Sequence, residues 1–228
     1  MTSARISEIF CSIQGEGLYA GQKQVFVRLA GCALRCSYCD ERAASSAGRL
    51  ETIDRIGARI RALARSEKAR AVSITGGEPL LQPSAVRAIA VLSRRLGLSV
   101  HLETGGALYR EMAELREEVD VIAADIKLPS AAGREMWREH RRFLSVAPGK
   151  TFVKVVVTSL TPLPEFRKAV TLAASVSRGI PFFIQPVTPV RGLRAPARSR
   201  LRAFHLAAAG RLSDVRIMPQ LHPLWGVK

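Results

Sequence analysis

Three cysteines stand close together near the start of the chain, in the segment Gly31-Cys-Ala-Leu-Arg-Cys-Ser-Tyr-Cys-Asp40. Their spacing is C-x3-C-x2-C. A cubane iron–sulfur cluster is held by cysteine thiolates, normally four of them. Cys32, Cys36 and Cys39 can therefore hold three corners of a [4Fe–4S] cluster and leave the fourth iron open to a small molecule. An open coordination position of this kind indicates catalysis.

Structural zinc is the other use of closely spaced cysteines. Zinc sites take four Cys or His ligands, usually in two separated pairs, and this sequence has no second pair. Its remaining cysteine, Cys11, lies well before the triplet and stays open as a fourth ligand or as a buried thiol. A disulfide framework is not expected, because a chain of 228 residues can build its own core.

The composition predicts one α/β domain, since 47% of the residues are hydrophobic. The first residues do not show the pattern of a secretion signal, and no apolar run has the length of a membrane span, so we expect a cytoplasmic protein without a membrane partner. A net charge of +16 is typical of proteins that bind nucleic acids. The arginines are spread along helix-like segments, however, which predicts solvated helix faces and only non-specific binding to polyanions.

Short β-branched runs alternate with amphipathic windows, the pattern of repeated βα units around a parallel sheet. The predicted strands are Val25–Leu29, Ala71–Ile74, Ser99–Leu102, Val121–Ala124, Phe152–Val157, Phe182–Ile184 and Val215–Ile217. The predicted helices are Thr52–Arg65, Pro83–Leu96, Tyr109–Glu118, Gly133–Leu144, Leu163–Ser177 and Pro196–Ala209. About six parallel strands are too few for an eight-stranded barrel, so we expect a partial, TIM-like (β/α) barrel, with a doubly wound sheet as the alternative. Ala43–Gly48 is small and polar, which predicts a mobile loop.

Polar and glycine-rich residues follow five of the predicted strands, at the edge where such sheets bind ligands. The five groups are the cysteine loop, Thr75-Gly-Gly-Glu-Pro79, Glu103-Thr-Gly-Gly106, Asp125-Ile-Lys127 and Gln185-Pro186. One Gly-Gly pair after a strand is usually a turn. Five such groups together predict a single site at this edge.

The cysteine triplet followed by Gly76-Gly-Glu-Pro79 resembles the signature of the radical S-adenosylmethionine (SAM) superfamily. The resemblance implies a partial barrel and a [4Fe–4S] cluster whose open iron is chelated by the amino and carboxylate groups of SAM. It also implies that reduction splits SAM into methionine and a 5′-deoxyadenosyl radical, which takes a hydrogen atom from the substrate. The residues expected to bind SAM are Tyr38, Asp40, Gly76, Gly77, Glu78, Glu103, Lys127, Ser130, Gln185 and Pro186.

A narrower resemblance covers almost the whole chain. The segments that carry it are Ser12–Leu18, Phe26–Cys32, Ile74–Gln82, Asp125–Ser130 and Met218–His222. They are similar to the 7-carboxy-7-deazaguanine synthase family. The resemblance implies a carbon–nitrogen lyase of 7-deazapurine (queuosine) biosynthesis, which contracts a ring of 6-carboxy-5,6,7,8-tetrahydropterin, releases ammonia and yields 7-carboxy-7-deazaguanine.

The same resemblance implies a substrate site. The residues expected to bind the carboxypterin are Gln14, Gly15, Glu16, Arg28, Thr75 and His222, with Gln220 beside the last. A carboxylate suits the amino and ring N–H edge of a pterin, and Arg28 suits the substrate carboxylate, although a structural ion pair in the sheet is the alternative for Arg28. We expect a single radical SAM domain over residues 1–228, with residues 1–24 and 218–228 completing the substrate pocket.

Further partners follow from the resemblance. Family members use Mg²⁺ through a Thr or Ser after the Cys-Asp pair, but Glu41 stands there in this chain. A carboxylate is a suitable Mg²⁺ ligand, so Glu41 is the expected ligand, and a side chain turned away from the metal is the alternative. A reducing protein such as flavodoxin or ferredoxin and a homodimer are also implied. Two other functions stay open: a radical SAM activase acting on a glycine of a partner protein, and a zinc-containing, RNA-binding protein without catalysis.

Overall fold

A computed structural model describes residues 2–41 and 48–227. The segment Ala43–Gly48, predicted as a mobile loop, falls outside the described residues except for its last glycine. The strands are β1 (Ser3–Ile13), β2 (Lys23–Leu29), β3 (Arg49–Thr52), β4 (Ala71–Gly76), β5 (Ser99–Thr104), β6 (Val121–Asp125), β7 (Thr151–Val157), β8 (Phe182–Pro186) and β9 (Val215–Ile217). The α-helices are α1 (Ile53–Glu67), α2 (Pro83–Arg95), α3 (Tyr109–Leu115), α4 (Pro129–Ala132), α5 (Trp137–Leu144), α6 (Leu163–Val176), α7 (Arg198–Ala209) and α8 (His222–Trp225).

All nine strands belong to one sheet, in the order β3-β1-β2-β4-β5-β6-β7-β8-β9. Every neighbouring pair from β2 to β9 is parallel. Within the described residues β3 and β9 are the two edges, so the sheet does not close on itself. The open parallel sheet with its connecting helices confirms the predicted partial TIM-like (β/α) barrel.

The strand β1 is an addition to the predicted elements. It pairs antiparallel with β2 on one side and with β3 on the other. Its register shifts between Ile6 and Glu8, where a bulge changes the side on which successive side chains lie. Because the alternation of apolar and polar residues is interrupted there, the sequence of β1 lacks the regular period of a strand.

The region between β6 and β7 also differs from the prediction. A helix over Gly133–Leu144 was expected, but α5 begins only at Trp137, and the short helix α4 (Pro129–Ala132), which was not predicted, precedes it. Gly133 has φ +73° at the C-terminal end of α4, and its N–H donates to the Pro129 carbonyl. A glycine in this left-handed conformation ends a helix, so it separates α4 from α5.

The main core lies between the sheet and the helices. The parallel strands have one apolar face, which the helices cover, and one face that lines the lumen of the open barrel and carries polar residues such as Thr75, His101 and Gln185. Phe166 of α6 contacts Phe182 of β8 and Phe204 of α7, with ring centroids 6.0 and 4.7 Å apart, and all three side chains are fully buried. Across the described ranges, no helix combines the length and the apolar character needed to span a bilayer.

Candidate active site

The lumen of the open barrel contains a cavity of about 880 Å³ at the carboxyl ends of the parallel strands. Most of the predicted site residues line it. They are Gln14, Gly15, Glu16, Arg28, Cys32, Cys36, Tyr38, Cys39, Asp40, Glu41, Thr75, Gly76, Gly77, Glu78, Glu103, Lys127, Gln185, Gln220 and His222. Two predicted residues lie outside the lining. Ser130 donates its N–H to Glu165 Oε2 at 3.0 Å near the surface, and Pro186 is buried at the end of β8.

The three cysteines lie on the loop that follows β2. Cys36 and Tyr38 are buried and pack against Val156 of β7 and Val187 after β8. The Cys39 N–H donates to the Cys36 carbonyl at 3.1 Å, which makes the C-x2-C part a tight turn. The loop is therefore fixed by its own apolar residues, with its thiols at the cavity wall.

The donor set fits a [4Fe–4S] cluster. Burial raises the pKa of the thiols of Cys32 and Cys36, and neighbouring thiols raise them further while Lys127 lowers them, so the groups lie close enough to influence one another. Among residues 2–41 and 48–227, no three Cys, His, Asp or Glu side chains converge on a point that one ion would occupy. A cubane cluster does not require the thiolates to converge on one point, because each thiolate binds a different iron atom.

Gly76 and Gly77 bring the end of β4 against the cysteine loop. A Cβ atom on Gly77 would lie 2.2 Å from the Gly31 carbonyl oxygen and 2.9 Å from Cys32 Cβ. Gly76 has φ +155°, and a Cβ there would lie 2.2 Å from the Leu29 carbonyl oxygen. Neither position has room for a side chain, so the close approach depends on glycine.

The carboxylate of Glu78 connects this loop to the loop after β5. It accepts hydrogen bonds from the Leu80 N–H (3.1 Å), the Thr104 hydroxyl (2.8 Å) and the Gly105 N–H (2.8 Å). Burial raises the pKa of Glu78, and these hydrogen bonds oppose the rise. Since a carboxylate has about four acceptor positions, the protein uses three and leaves one for a ligand donor.

Asp125 and Lys127 follow β6. Lys127 Nζ donates to Asp125 Oδ2 at 2.8 Å and lies 5.2 Å from the centre of the Tyr38 ring. Burial would lower the pKa of Lys127, but Asp125 raises it well above its usual value, so the ammonium keeps its proton. Asp125 Oδ1 is buried and has no hydrogen-bond partner among the described residues. A buried carboxylate oxygen at a cavity wall calls for a donor, which a ligand can supply.

A second pair of opposite charges lies deeper in the cavity. Glu16 forms an ion pair with Lys154 of β7, and its Oε1 accepts hydrogen bonds from Gln220 (2.8 Å) and Gln185 (3.3 Å). Burial would raise the pKa of Glu16, but Lys154 and the hydrogen bond from Gln220 lower it to about 2. Lys154 has a raised pKa, because Glu16 and Asp125 outweigh the effect of burial. Both groups are therefore charged at neutral pH.

Glu103 of β5 organises the neighbouring wall. Its carboxylate accepts hydrogen bonds from Gln14 Nε2 (2.8 Å), the Ser73 hydroxyl (2.9 Å) and the Thr75 hydroxyl (3.1 Å). Gln14 Oε1 in turn accepts from the Glu16 N–H at 3.0 Å. The structure thus groups Glu103, predicted for the SAM side, with residues predicted for the substrate side.

Arg28 lies between two carboxylates. Its Nε donates to Glu8 Oε1 at 2.8 Å, and its Nη2 is 3.1 Å from Glu41 Oε1. An ion at Glu41 would meet the repulsion of this guanidinium. The donor set at Glu41 therefore fits Mg²⁺ poorly as it stands, and the structure contains the ion pair that the sequence left as the alternative for Arg28.

Comparisons with known proteins identify the family of this chain. The model of the radical SAM superfamily matches residues 26–147. The 7-carboxy-7-deazaguanine synthase of Geobacter sulfurreducens is 34% identical, and the match covers 98% of this chain and 97% of the relative. The enzyme of the same name from Methanopyrus kandleri is 32% identical, with 96% and 92% covered. The chain belongs to the 7-carboxy-7-deazaguanine synthase family.

Membership in the 7-carboxy-7-deazaguanine synthase family confirms both resemblances inferred from the motifs. It makes the chain a radical SAM enzyme, and that superfamily uses a [4Fe–4S] cluster and SAM. The crystal structure of QueE from Escherichia coli has a TM-score of 0.62 to this structure at 18% identity, covering 95% of this chain and 94% of that one. This similarity supports the fold.

Sequence reasoning gave no role to several polar residues in the cavity of this 7-carboxy-7-deazaguanine synthase family member, among them His101, Asp125 and Lys154. Lys154 is the one charged residue of the β7 sequence Thr-Phe-Val-Lys-Val-Val-Val, which is a usable signal in a buried strand. Asp125 stands in a motif that was noted, but without an assigned role. His101 Nδ1 accepts a hydrogen bond from Gln24 Nε2 at 3.1 Å, and nothing near His101 in the sequence points to this contact.

Proposed function

We propose that this chain converts 6-carboxy-5,6,7,8-tetrahydropterin into 7-carboxy-7-deazaguanine with loss of ammonia, in 7-deazapurine (queuosine) biosynthesis. The observation that carries the proposal is the largely buried carboxylate of Glu16, held by Lys154 and Gln220 in the same cavity as the three cysteines. The amino and ring N–H groups along one edge of a pterin are donors, and Glu16, with three of about four acceptor positions in use, has one left for this edge. The names of near-full-length relatives agree with this reaction.

Residues 1–24 and 218–228 complete the substrate pocket in this proposal. The Leu221 N–H donates to the Gly15 carbonyl at 3.0 Å, which brings His222 over the N-terminal segment. A Cβ atom on Gly15 would lie 2.6 Å from His222 Nδ1, so only glycine allows this approach. Gln220 is fixed from the other side, because its Oε1 accepts from the Thr188 hydroxyl at 2.6 Å.

The cysteine side of the cavity would bind SAM. The remaining acceptor position of Glu78 suits the ammonium of the methionine group, and the ammonium of Lys127 suits its carboxylate. Tyr38 offers an aromatic face to adenine. When bound, the cluster and SAM supply a radical that takes a hydrogen atom from the substrate. The protein positions the two molecules and shields the radical with apolar residues such as Val156 and Val187.

The charged groups near the substrate serve to orient it. Glu16 has a pKa lowered to about 2, and Lys154 has a raised pKa, so neither exchanges a proton readily at neutral pH. Lys154 lies 3.5 Å from Asp125 Oδ2 and so connects Glu16 to the carboxylate beside Lys127. This row of alternating charges fixes the substrate edge relative to the SAM side.

Some parts of the proposal rest on family membership alone. They are a cytoplasmic location, a homodimer and a reducing protein such as flavodoxin or ferredoxin. Mg²⁺ belongs with them, although the ion pair of Glu41 with Arg28 leaves a donor set that fits this ion poorly. No catalytic step is assigned to the ion, because one oxygen of Glu41 already pairs with Arg28. Equal turnover in chelator-treated and Mg²⁺-supplemented assays would remove Mg²⁺ from the proposal.

The test is an anaerobic incubation of the reconstituted protein with SAM, dithionite, Mg²⁺ and 6-carboxytetrahydropterin, followed by mass spectrometry. We expect 7-carboxy-7-deazaguanine from the wild type. Glu16→Gln should lower kcat/KM by about a hundredfold, because the substrate loses its acceptor and Lys154 loses a charged partner. Glu135→Gln is the matched control, since its side chain is 70% exposed.

The outcomes separate the alternatives. SAM cleavage to 5′-deoxyadenosine without the expected product would keep the radical SAM chemistry and move the substrate to another small molecule or to a partner protein, as in an activase. Wild-type kcat/KM in Glu16→Gln would refute the role of this carboxylate while leaving the reaction in place.

A further inference from the structure

The loop after β8 packs against the cysteine loop, and Val187 to Val190 of this loop also line the cavity. Val190 and Leu193 pair through two backbone hydrogen bonds of 3.2 and 2.9 Å, which closes a tight turn. At the tip of this turn Arg191 has φ +46° and Gly192 has φ +80°. A residue with a side chain is uncommon in the left-handed region, so the turn holds Arg191 in a conformation that an open loop would not favour.

The side chain of Arg191 reaches the end of the cysteine loop. Its Nη2 donates hydrogen bonds to the Ser37 carbonyl at 3.2 Å and to the Cys39 carbonyl. These two carbonyls belong to the C-x2-C part of the triplet. A single guanidinium thus holds two peptide groups of the loop that carries Cys36 and Cys39.

Apolar contacts join the same two loops. Val190 and Leu193, on either side of Arg191, pack against the small cluster formed by Cys36, Tyr38 and their buried neighbours. The turn therefore presents two apolar side chains and one cation to the cysteine loop. Apolar packing and charged hydrogen bonds from one short turn indicate a built support.

We propose that Arg191 is a positioning residue for the [4Fe–4S] cluster. It draws the carbonyl oxygens of Ser37 and Cys39 toward its guanidinium and so fixes the peptide groups before and after the Tyr38-Cys39 pair. It also sets a positive charge beside a loop whose thiolates become negative when they bind iron. The proposal rests on the cluster of the superfamily and is independent of the substrate proposed above.

Arg194 offers a matched control. It lies just after the same turn and its side chain is exposed, while its backbone carbonyl accepts the Ser159 N–H at 2.8 Å. Arg194→Ala therefore removes the same charge as Arg191→Ala from the same loop. Arg191→Lys keeps the charge but replaces the planar fork by a single ammonium group.

The first measurement is the rate at which reconstituted protein loses iron to a chelator, without SAM or pterin. We expect Arg191→Ala to lose iron about tenfold faster than the wild type, since it lacks the charged donor to both carbonyls. Arg194→Ala should match the wild type, and Arg191→Lys should lie between them. Should Arg191→Ala fail to fold, the comparison of Arg191→Lys with Arg194→Ala decides the question.

The second measurement is amide hydrogen exchange in the iron-free protein, with the amides of β7 as an internal reference. We expect faster exchange over 36–39 in Arg191→Ala and no change in Arg194→Ala. The proposal would be overturned if Arg191→Ala lost iron and exchanged its amides at wild-type rates, or if Arg194→Ala showed the same acceleration as Arg191→Ala. Faster iron loss with unchanged exchange would overturn it too, because it would indicate an effect of charge without positioning. A failure to form 7-carboxy-7-deazaguanine alters neither measurement.

Discussion

Lys154 lies in the middle of an apolar strand, and its positive charge balances the carboxylates that it contacts in the cavity. It pairs with Glu16, which is 138 residues earlier in the chain, and lies 3.5 Å from Asp125 Oδ2. Removing one member of a buried ion pair typically costs about 3–5 kcal/mol, because the other charge is left without a partner. The role that the motif assigns to Glu16 therefore depends on a residue that no motif contains.

His101 is the residue whose titration should be visible in the stability of the protein. Burial lowers its pKa to about 4, whereas an unfolded histidine has a pKa of about 6.5. Between these values the unfolded chain binds a proton at this site and the folded chain does not. The free energy of unfolding must therefore fall as the pH is lowered through this window, by up to about 3 kcal/mol.

We expect His101→Gln to flatten this decline, and urea unfolding at intervals between pH 7 and pH 4 measures it. The two proteins should be compared by the slope of the free energy of unfolding against pH and not by its absolute value, since the substitution also alters the contact with Gln24. His140 contributes in the same direction, because burial lowers its pKa as well, so part of the slope will remain. His205→Gln, at a partly exposed position of α7, is the control. A decline as steep in His101→Gln as in the wild type would contradict the prediction.

At the scale of elements, the parallel strands were the most predictable part of the fold. The predicted bounds of β9 are those observed, and β2 begins two residues earlier than expected. Continuous β-branched runs specify such strands, because both faces are buried. The strand β1 escaped prediction because its bulge breaks the alternation. The helix α4 was not predicted, and α5 begins at Trp137 instead of Gly133, because the conformation of Gly133 is not visible in an apolar pattern.

The contact between the loops after β2 and β4 can be tested at Gly77. Gly77→Ala would place a Cβ atom 2.2 Å from the Gly31 carbonyl oxygen, so the two loops must separate. We expect a loss of about 1–3 kcal/mol in the free energy of unfolding of the iron-free protein, as for other overpacked sites. Less iron should also be bound after reconstitution, because Cys32 lies on the displaced loop.

Gly149→Ala provides the matched control for this substitution. A Cβ atom at Gly149 would have no neighbour within 4 Å, and this glycine does not have a positive φ. Its free energy of unfolding and iron content should stay close to those of the wild type. Equal unfolding free energies in Gly77→Ala and Gly149→Ala would show that the loops tolerate the added methyl group.

For the whole molecule, the excess of positive charge lies away from the site. The described cavity pairs its lysines with carboxylates, as in Lys127 with Asp125 and Lys154 with Glu16. The chain nevertheless has 35 Lys and Arg residues against 19 Asp and Glu residues. On α1, for example, Arg55, Arg61 and Arg65 are exposed, in keeping with the solvated helix faces inferred from their spacing.

This distribution predicts non-specific, salt-dependent binding to polyanions. We expect the protein to be retained on a heparin column at low ionic strength and to be released progressively as salt is added, because the exposed arginines are screened. Elution across a salt gradient measures the effect. Retention that does not change with salt would contradict a purely electrostatic, non-specific contact.

The turn after β8 that supports the cysteine loop has a consequence for the order of events during synthesis of the protein. Ser37 precedes Arg191 by 154 positions, and Val187 is also made late. At about 5–20 residues per second, the ribosome synthesises the cysteine loop roughly 8–30 s before it synthesises Arg191 and the turn that supports this loop. A nascent chain therefore carries three solvated thiols without the site that should receive iron. We therefore expect cluster delivery to follow the synthesis of β8 and the turn after it.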